Sequence, residues 1–338
     1  MKNTVIISGA TSGIGFAICK KLLDSGYPVI AIGRSEDNCR TANETLLRQQ
    51  PDAKLNFIAA DLMQQREVLR AAKEIKEIIK ASGSDIHALI NNAGCVRSRY
   101  MTTEEGYEQQ FALNHLAGFL LTQELLPLIR RSNAMVINTS SVSHKMMRVN
   151  WNDLMYQRRY RPLSAYKQSK LCNLLFAHRL RELGIRACGV HPGLVKTDIG
   201  EKNTSGVVNF VWNLRKKRGI DPEESAKIFL SLCENGFCGL YYGLRGDVNG
   251  TLKIEEGKFE IDARELKYSG QVNHENARRL YDISLKLCGM PVAEESAGNS
   301  PDRSTRSRTK GEKDECSYNG SKRWAWQSDG YRLRKAGI

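Results

Sequence analysis

The chain contains no run of about 18 consecutive apolar residues, which excludes a membrane-spanning helix. Thr4-Val5-Ile6-Ile7-Ser8 already reads as a first strand, so no leader is expected and the expected compartment is the cytoplasm. Paired cysteine spacing is missing too. The nine cysteines are scattered and odd in number, and nothing near the closest pair, Cys233 and Cys238, completes a zinc site. They read as reduced thiols, and no metal is expected. No zinc finger or RNP sequence accompanies the basic residues, so a formal charge of +14 does not specify nucleic-acid recognition. The charge leaves attraction to other anions open, from cofactor phosphates to an acidic membrane surface. The lack of a GxSxG turn leaves a serine hydrolase with little support.

What is present is alternation. Short apolar runs at Thr4–Ser8, Pro28–Ile32, Leu55–Ala59, Ala88–Asn91, Met135–Thr139 and Arg186–Val190 alternate with helical stretches, which argues for βαβ units and a parallel sheet. Gly239–Tyr242 is a candidate seventh strand. Helices are expected from about Ile14 to Ser25, stopped by Gly26, between the second and third strands, after Asp221-Pro222-Glu223-Glu224, and from Asn276 to Leu287. Asp221 can cap, Pro222 is tolerated at the first position, and the two glutamates suit the positive end of the helix dipole. The expected organisation is one α/β domain over residues 1–290 and a basic tail over 291–338. The tail is thin in apolar residues, so disorder is expected there. Trp324 and Trp326 leave a short interaction peptide as the alternative.

Gly9-Ala10-Thr11-Ser12-Gly13-Ile14-Gly15 lies between the first strand and the first helix. Glycines permit a tight turn and let backbone approach a pyrophosphate, which the helix N-terminus receives with its amides. The second strand ends at Gly33-Arg34-Ser35. A carboxylate here would accept from the ribose 2′-OH of NAD, whereas a cation suits the 2′-phosphate of NADP. Arg34 can meet that phosphate with a forked pair of donors, so NADP(H) is favoured over NAD(H); the alternative is a solvated surface arginine.

Further along, Tyr166 and Lys170 stand four apart and share one helix face. A nearby ammonium favours the phenolate and lowers a pKa that is otherwise about 10. Upstream, the strand Met135–Thr139 ends in Ser140-Ser141.

These residues resemble the short-chain dehydrogenase/reductase family over roughly residues 1–290. The Gly9–Gly15 loop, with Gly9, Thr11, Ser12, Gly13, Ile14 and Gly15 as contacts, looks like its cofactor loop. Asp61-Leu62 resembles the pair that meets adenine. Asn91-Asn92-Ala93-Gly94 is similar to the segment beside the cofactor, with Asn91, Ala93 and Gly94 as contacts. Asn114, Ser141, Tyr166 and Lys170 match a catalytic tetrad, and Pro192-Gly193 with Val195 and Thr197 resembles the segment that closes over nicotinamide. The resemblance implies a Rossmann-type doubly wound parallel sheet. The long spacer before Tyr166, with Ser143-His144 and Pro162-Leu163-Ser164-Ala165-Tyr166, looks like the retinol dehydrogenase branch, as does Asn114-His115-Leu116-Ala117-Gly118.

It further implies that Tyr166 is the acid/base, that Ser141 orients the substrate oxygen, and that Lys170 tunes Tyr166 and binds the nicotinamide ribose. Asn114 would hold a water that links Lys170 to solvent. His144 and His191 are read as structural. The expected substrate is a hydrophobic alcohol, ketone or aldehyde. Val207, Val208, Phe210, Val211 and Trp212 precede the cluster Arg215–Arg218; they read as a pocket lid, a helix resting on anionic membrane, or an ordinary packed helix. A homodimer or homotetramer is expected from the resemblance. Two other classes stay open: a catalytically idle dinucleotide-binding regulator, and a charge-driven peripheral adaptor.

Overall fold

A computed structural model describes residues 2–195, 219–244 and 263–292. Thr197, the stretch Val207–Trp212, the cluster Arg215–Arg218 and the tail after 292 lie outside the described residues. The described residues all belong to one compact unit, Met1–Ala293.

Chain order runs β1 (Thr4–Ser8), α1 (Gly13–Asp24), β2 (Val29–Gly33), α2 (Glu36–Gln49), β3 (Leu55–Ala59), α3 (Gln65–Ser82) and β4 (Ile86–Asn91). It continues through α4 (Gln109–Phe111), a π turn (Ala112–Leu116), α5 (Ala117–Arg131), β5 (Met135–Thr139) and a 3-10 turn (Val142–Met146). Then come α6 (Pro162–Glu182), β6 (Ala187–His191), α7 (Pro222–Asn235), β7 (Tyr241–Leu244), β8 (Ala263–Glu265) and α8 (His274–Leu287).

Among the described residues the strands form one sheet in the order β3-β2-β1-β4-β5-β6-β7-β8. Every neighbouring pair is parallel except β7 with β8. The order reverses between β1 and β4, and a doubly wound sheet opens its ligand crevice at the strand ends beside such a switch. The apolar runs are explained by burial on both faces: β1, β2 and β5 are buried along their whole length. Side chains alternate faces with a period of two. Ile6, Ile30 and Ile32 enter the core beneath α3, α5, α6 and α8, while Val5, Ile7, Val29 and Ala31 enter the core with α1 and α7.

The helices follow their sequence signals. In α3 the buried residues Val68, Ala71, Ala72, Ile75 and Ile79 recur at helical spacing. Asp221 caps α7 by accepting from Glu223 N at 2.9 Å. Asn273 caps α8 in the same way through Asn276 N at 3.0 Å, which starts that helix earlier than expected. The candidate seventh strand begins at Tyr241 rather than Gly239, and the antiparallel β8 was not foreseen.

The aromatic seam that docks α8 is Phe119 on α5, Phe176 on α6 and Tyr281 on α8. Phe119 lies 5.0 Å from Phe176 and 5.2 Å from Tyr281 between ring centroids, fully buried. Replacing Phe119 by Ala removes a ring that its neighbours cannot refill. Urea unfolding should show a loss of about 3–5 kcal/mol, and a loss below about 1 kcal/mol would mean that the seam does not hold α8.

Candidate active site

The nucleotide end is built by close backbone approach. Gly9 has φ +72°, and a Cβ on it would stand 2.8 Å from Ala93 Cα. A Cβ on Gly15 would meet Gly9 O at 2.0 Å. The Ser8 hydroxyl accepts from both Asn92 N and Ala93 N at 3.0 Å, and Asn92 Nδ2 donates to Ser8 O at 3.2 Å. The β1–α1 turn is thereby pressed against the loop after β4. Helix α1 starts with no side-chain cap and no acid in its first turn. Its leading amides are free of side-chain acceptors, which fits a pyrophosphate.

These elements enclose a cleft of about 430 Å³. Gly9, Thr11, Ser12, Gly13, Ile14 and Gly15 line one wall, Arg34 and Asp61-Leu62 a second, and Ala93-Gly94 a third. Asn91 precedes that wall at the end of β4. Its side chain does not line the cleft; Nδ2 donates to Thr122 Oγ1 at 3.0 Å and to Asn138 Oδ1 at 2.9 Å, in the layer beneath α5. Successive strand residues face opposite ways, and it is Asn92 that turns to the cleft. Asn38, Met63, Cys95, Arg97 and Leu113 also line it and were not foreseen. Pro192 and Gly193 follow β6, with Gly193 at φ +85°, and Val195 bridges to Ile220.

The chemical end is carried by α6 and the end of β5. Lys170 is buried, and its Nζ donates to Thr139 O at 3.2 Å. It lies 5.6 Å from the centroid of the half-buried Tyr166 ring. A Cβ on Gly94 would sit 3.7 Å from that ammonium, so Lys170 abuts the cleft from behind. Among the described residues it makes no ion pair, and burial pulls its pKa down to about 8.

The two serines part company. Ser140 is buried and its hydroxyl donates to Lys170 O at 2.8 Å. Ser141 Oγ accepts from Ser143 N at 3.3 Å and from Ser143 Oγ at 3.1 Å, which leaves its own proton for another acceptor. That is the arrangement an orienting hydroxyl needs.

Asn114 sits inside the π turn, a local widening that often marks functional sites. Its Oδ1 accepts from Cys95 N at 2.7 Å, while Nδ2 donates to Cys95 O at 3.0 Å and to Ser169 Oγ at 2.9 Å. The amide therefore clamps the β4 loop to α6.

His144 is a bracket. Its Nδ1 must carry the proton, since it faces the Ser141 carbonyl at 2.5 Å; Nε2 then accepts from Ser269 N at 3.4 Å. Its ring packs edge-on to Tyr241 at 5.0 Å, and burial pushes its pKa down to about 4. His191 is buried at the end of β6.

A doubly wound sheet, a glycine turn, and a Tyr–Lys pair behind the cleft together define a class, and comparison bears this out. The short chain dehydrogenase profile matches residues 3–207, and the chain belongs to the short-chain dehydrogenase/reductase family, oxidoreductases that act on CH–OH groups with NAD(P). Within the family it is similar to the retinol dehydrogenases. It is 34% identical to human retinol dehydrogenase 13 over 302 residues, 85% of each chain. It is 30% identical to mouse retinol dehydrogenase 12 over 292 residues, 85% of this chain and 86% of the relative. Among solved structures, an uncharacterized protein from Mycobacterium paratuberculosis superposes with a TM-score of 0.60 at 27% identity, covering 86% of this chain and 95% of the other.

The burial of Lys170 carries a pH signature. Its folded pKa of about 8 lies below the ordinary 10.5, so between these values the unfolded chain binds more protons and stability rises with pH. The cost of the buried charge is fully present below about pH 8 and gone by about pH 10.5. Lys170→Met keeps the stem and removes the charge, and Thr139 O retains the Asn173 amide at 2.9 Å. The cofactor-free variant should melt above wild type at pH 7, with the gap closing as pH rises through that window. A variant that melts lower throughout would show that the ammonium holds the fold together.

Proposed function

We propose that the chain is an NADP(H)-dependent oxidoreductase that interconverts a hydrophobic alcohol and its ketone or aldehyde, with Tyr166 as the acid/base. The observation that carries this reading is Lys170: a buried ammonium with no ion pair among the described residues, beside the Tyr166 ring and against Gly94 of the cleft. A phenolate next to it would be the missing counter-charge, which favours a tyrosine that gives up and regains its proton near neutral pH.

Bound NADP(H) supplies the hydride. Tyr166 donates a proton to the carbonyl oxygen during reduction and takes it back during oxidation. Ser141 donates a hydrogen bond to the same oxygen. Lys170 holds Tyr166 in its reactive state and reaches the nicotinamide ribose, while Asn114 keeps the β4 loop and α6 in register.

Arg34 supports the choice of NADP(H). It lies exposed on the cleft and makes no ion pair among the described residues. Of the acids that follow it, Asp37 already pairs with Arg40 at 2.7 Å. An uncommitted guanidinium there is suited to a 2′-phosphate.

A hydrophobic substrate is supported by the exposed side chains around Ser141. Val142 follows it directly, Met146 is 67% exposed on the same turn, and Tyr268 is exposed next to Ser269, which His144 ties to Ser141. Large exposed apolar groups gathered beside a reactive hydroxyl suit an apolar ligand. The names of the retinol dehydrogenases also point to a hydrophobic alcohol. The same reading has the protein working in the cytoplasm as a homodimer or homotetramer. Cell fractionation and sedimentation would test those two points.

Tyr166→Phe keeps the ring and deletes the proton. Turnover of apolar carbonyl substrates should fall by about 10²–10⁴-fold, with NADPH affinity from fluorescence titration within about twofold of wild type. Turnover near wild type in the folded variant would remove Tyr166 from the mechanism.

Arg34→Asp should move the ratio of kcat/KM for NADPH over NADH toward NADH, because a carboxylate repels the 2′-phosphate and accepts from a ribose hydroxyl. An unchanged ratio would assign the phosphate to other residues.

A further inference from the structure

His144 stands three residues after Ser141, inside the 3-10 turn Val142–Met146, and the chemistry proposed above makes no use of it. It is fully buried. Two donors of this one residue meet a single acceptor: His144 N donates to Ser141 O at 3.1 Å, and Nδ1 reaches the same oxygen at 2.5 Å. The far nitrogen, Nε2, faces Ser269 N at 3.4 Å, a long bond. A backbone amide can only donate, so Nε2 must be bare and the proton must sit on Nδ1. The tautomer is thus set by main chain rather than by a titratable partner. Burial, with Lys145 and His191 adding to it, disfavours the imidazolium, so the ring stays neutral. Tyr241 packs edge-on against it at 5.0 Å. A ring flip would put carbon where both nitrogens now meet their partners.

These bonds converge on the residue whose hydroxyl has to be aimed. Ser141 has extended backbone, φ −161° and ψ 149°, and it caps the turn. Holding its carbonyl holds ψ, and with it the line along which the side chain leaves the end of β5. Ser143 N and Ser143 Oγ supply the two bonds that Ser141 Oγ accepts, at 3.3 and 3.1 Å, and they come from the same turn. With the carbonyl fixed on one side and the lone pairs engaged on the other, the hydroxyl proton has a set direction. Neither Ser141 nor His144 lines the nucleotide cleft, so the bracket acts at the reactive end alone.

We propose that His144 is a positioning residue for the reaction: by donating from Nδ1 to the Ser141 carbonyl it aims the Ser141 hydroxyl at the reacting oxygen, and the Ser269 amide keeps it in the tautomer that can do so. The inference rests on the reading of Ser141 as the orienting hydroxyl. His144 is enclosed and works through Ser141. Reaction rates depend steeply on such aim, because a displacement of about 1 Å can cost about 10²-fold.

The test is steady-state reduction of a panel of apolar aldehydes and ketones with NADPH, or with NADH if that proves the better cofactor. Thermal melting and fluorescence titration of the same cofactor check that each variant folds and binds. His144→Asn places an amide nitrogen where Nδ1 stands and keeps a donor for the Ser141 carbonyl. His144→Gln places its amide oxygen near Nε2, so it keeps the Ser269 bond and loses the donor. His144→Phe keeps a ring against Tyr241 and loses both bonds. Gln and Phe should lower kcat by about 10–10²-fold, with KM and cofactor affinity within about threefold of wild type. Asn, which gives up only the Ser269 bond, should stay within about fivefold of wild type. On a Ser141→Ala background, His144→Gln should cost less than a further twofold or so, because the residue it acts through is gone. Equal losses in Asn and Gln overturn the proposal, as does a full Gln effect on top of Ser141→Ala, since either would make His144 a packing residue. If none of the three variants folds, the residue is structural and the proposal falls. Ser141→Ala at wild-type turnover removes the Ser141 reading; a large Ser141→Ala effect with His144→Gln at wild-type turnover removes this inference alone. No turnover of any carbonyl by wild type overturns both.

Discussion

The Ser8 hydroxyl, by accepting the amides of Asn92 and Ala93, brings the end of β1 and the end of β4 into backbone contact. Everything downstream leans on that contact. It forces glycine at positions 9 and 15, because any Cβ there would strike Ala93 or Gly9. It holds the first amides of α1 over the cleft floor. It also sets where Gly94 passes Lys170, which couples the nucleotide end to the reactive end without any residue shared between them.

Helix α6 is the second support. Ser169 receives Asn114, the Lys170 carbonyl receives Ser140, the Lys170 ammonium reaches Thr139, and Tyr166 sits one turn before Lys170. Ser169 and Lys170, neighbours on one helix, thus fasten the π turn and the end of β5. The buried charge of Lys170 opposes stability, and the surrounding rigid packing is what lets the fold tolerate it. Stability and reactivity pull in opposite directions at this one side chain.

Much of this was legible in the sequence, for physical reasons. Parallel strands buried on both faces must be apolar throughout, so Val29–Ile32 and Met135–Ile137 announce themselves. The Tyr166–Lys170 spacing is readable because helix geometry converts it directly into proximity. Strand β8 was not legible: Ala263-Arg264-Glu265 is a three-residue edge with no apolar alternation. The π turn leaves no compositional mark in Ala112-Leu113-Asn114-His115-Leu116. At Asn91-Asn92 the residue types are identical, and only the pleat decides which side chain lines the cleft.

The His144 bracket has a consequence for how the protein acquires its parts during synthesis. Its Nε2 holds the amide of Ser269, a residue 125 positions later in the chain, while its Nδ1 holds the carbonyl of Ser141. The switch point between β1 and β4 is complete once the first hundred or so residues have left the ribosome, since domains are made from the N-terminus onward. The Ser141–His144 bracket must wait for the region of Ser269. A nascent chain can therefore hold the β1–β4 contact well before it holds a braced Ser141, because the partner that braces His144 is made 125 residues later.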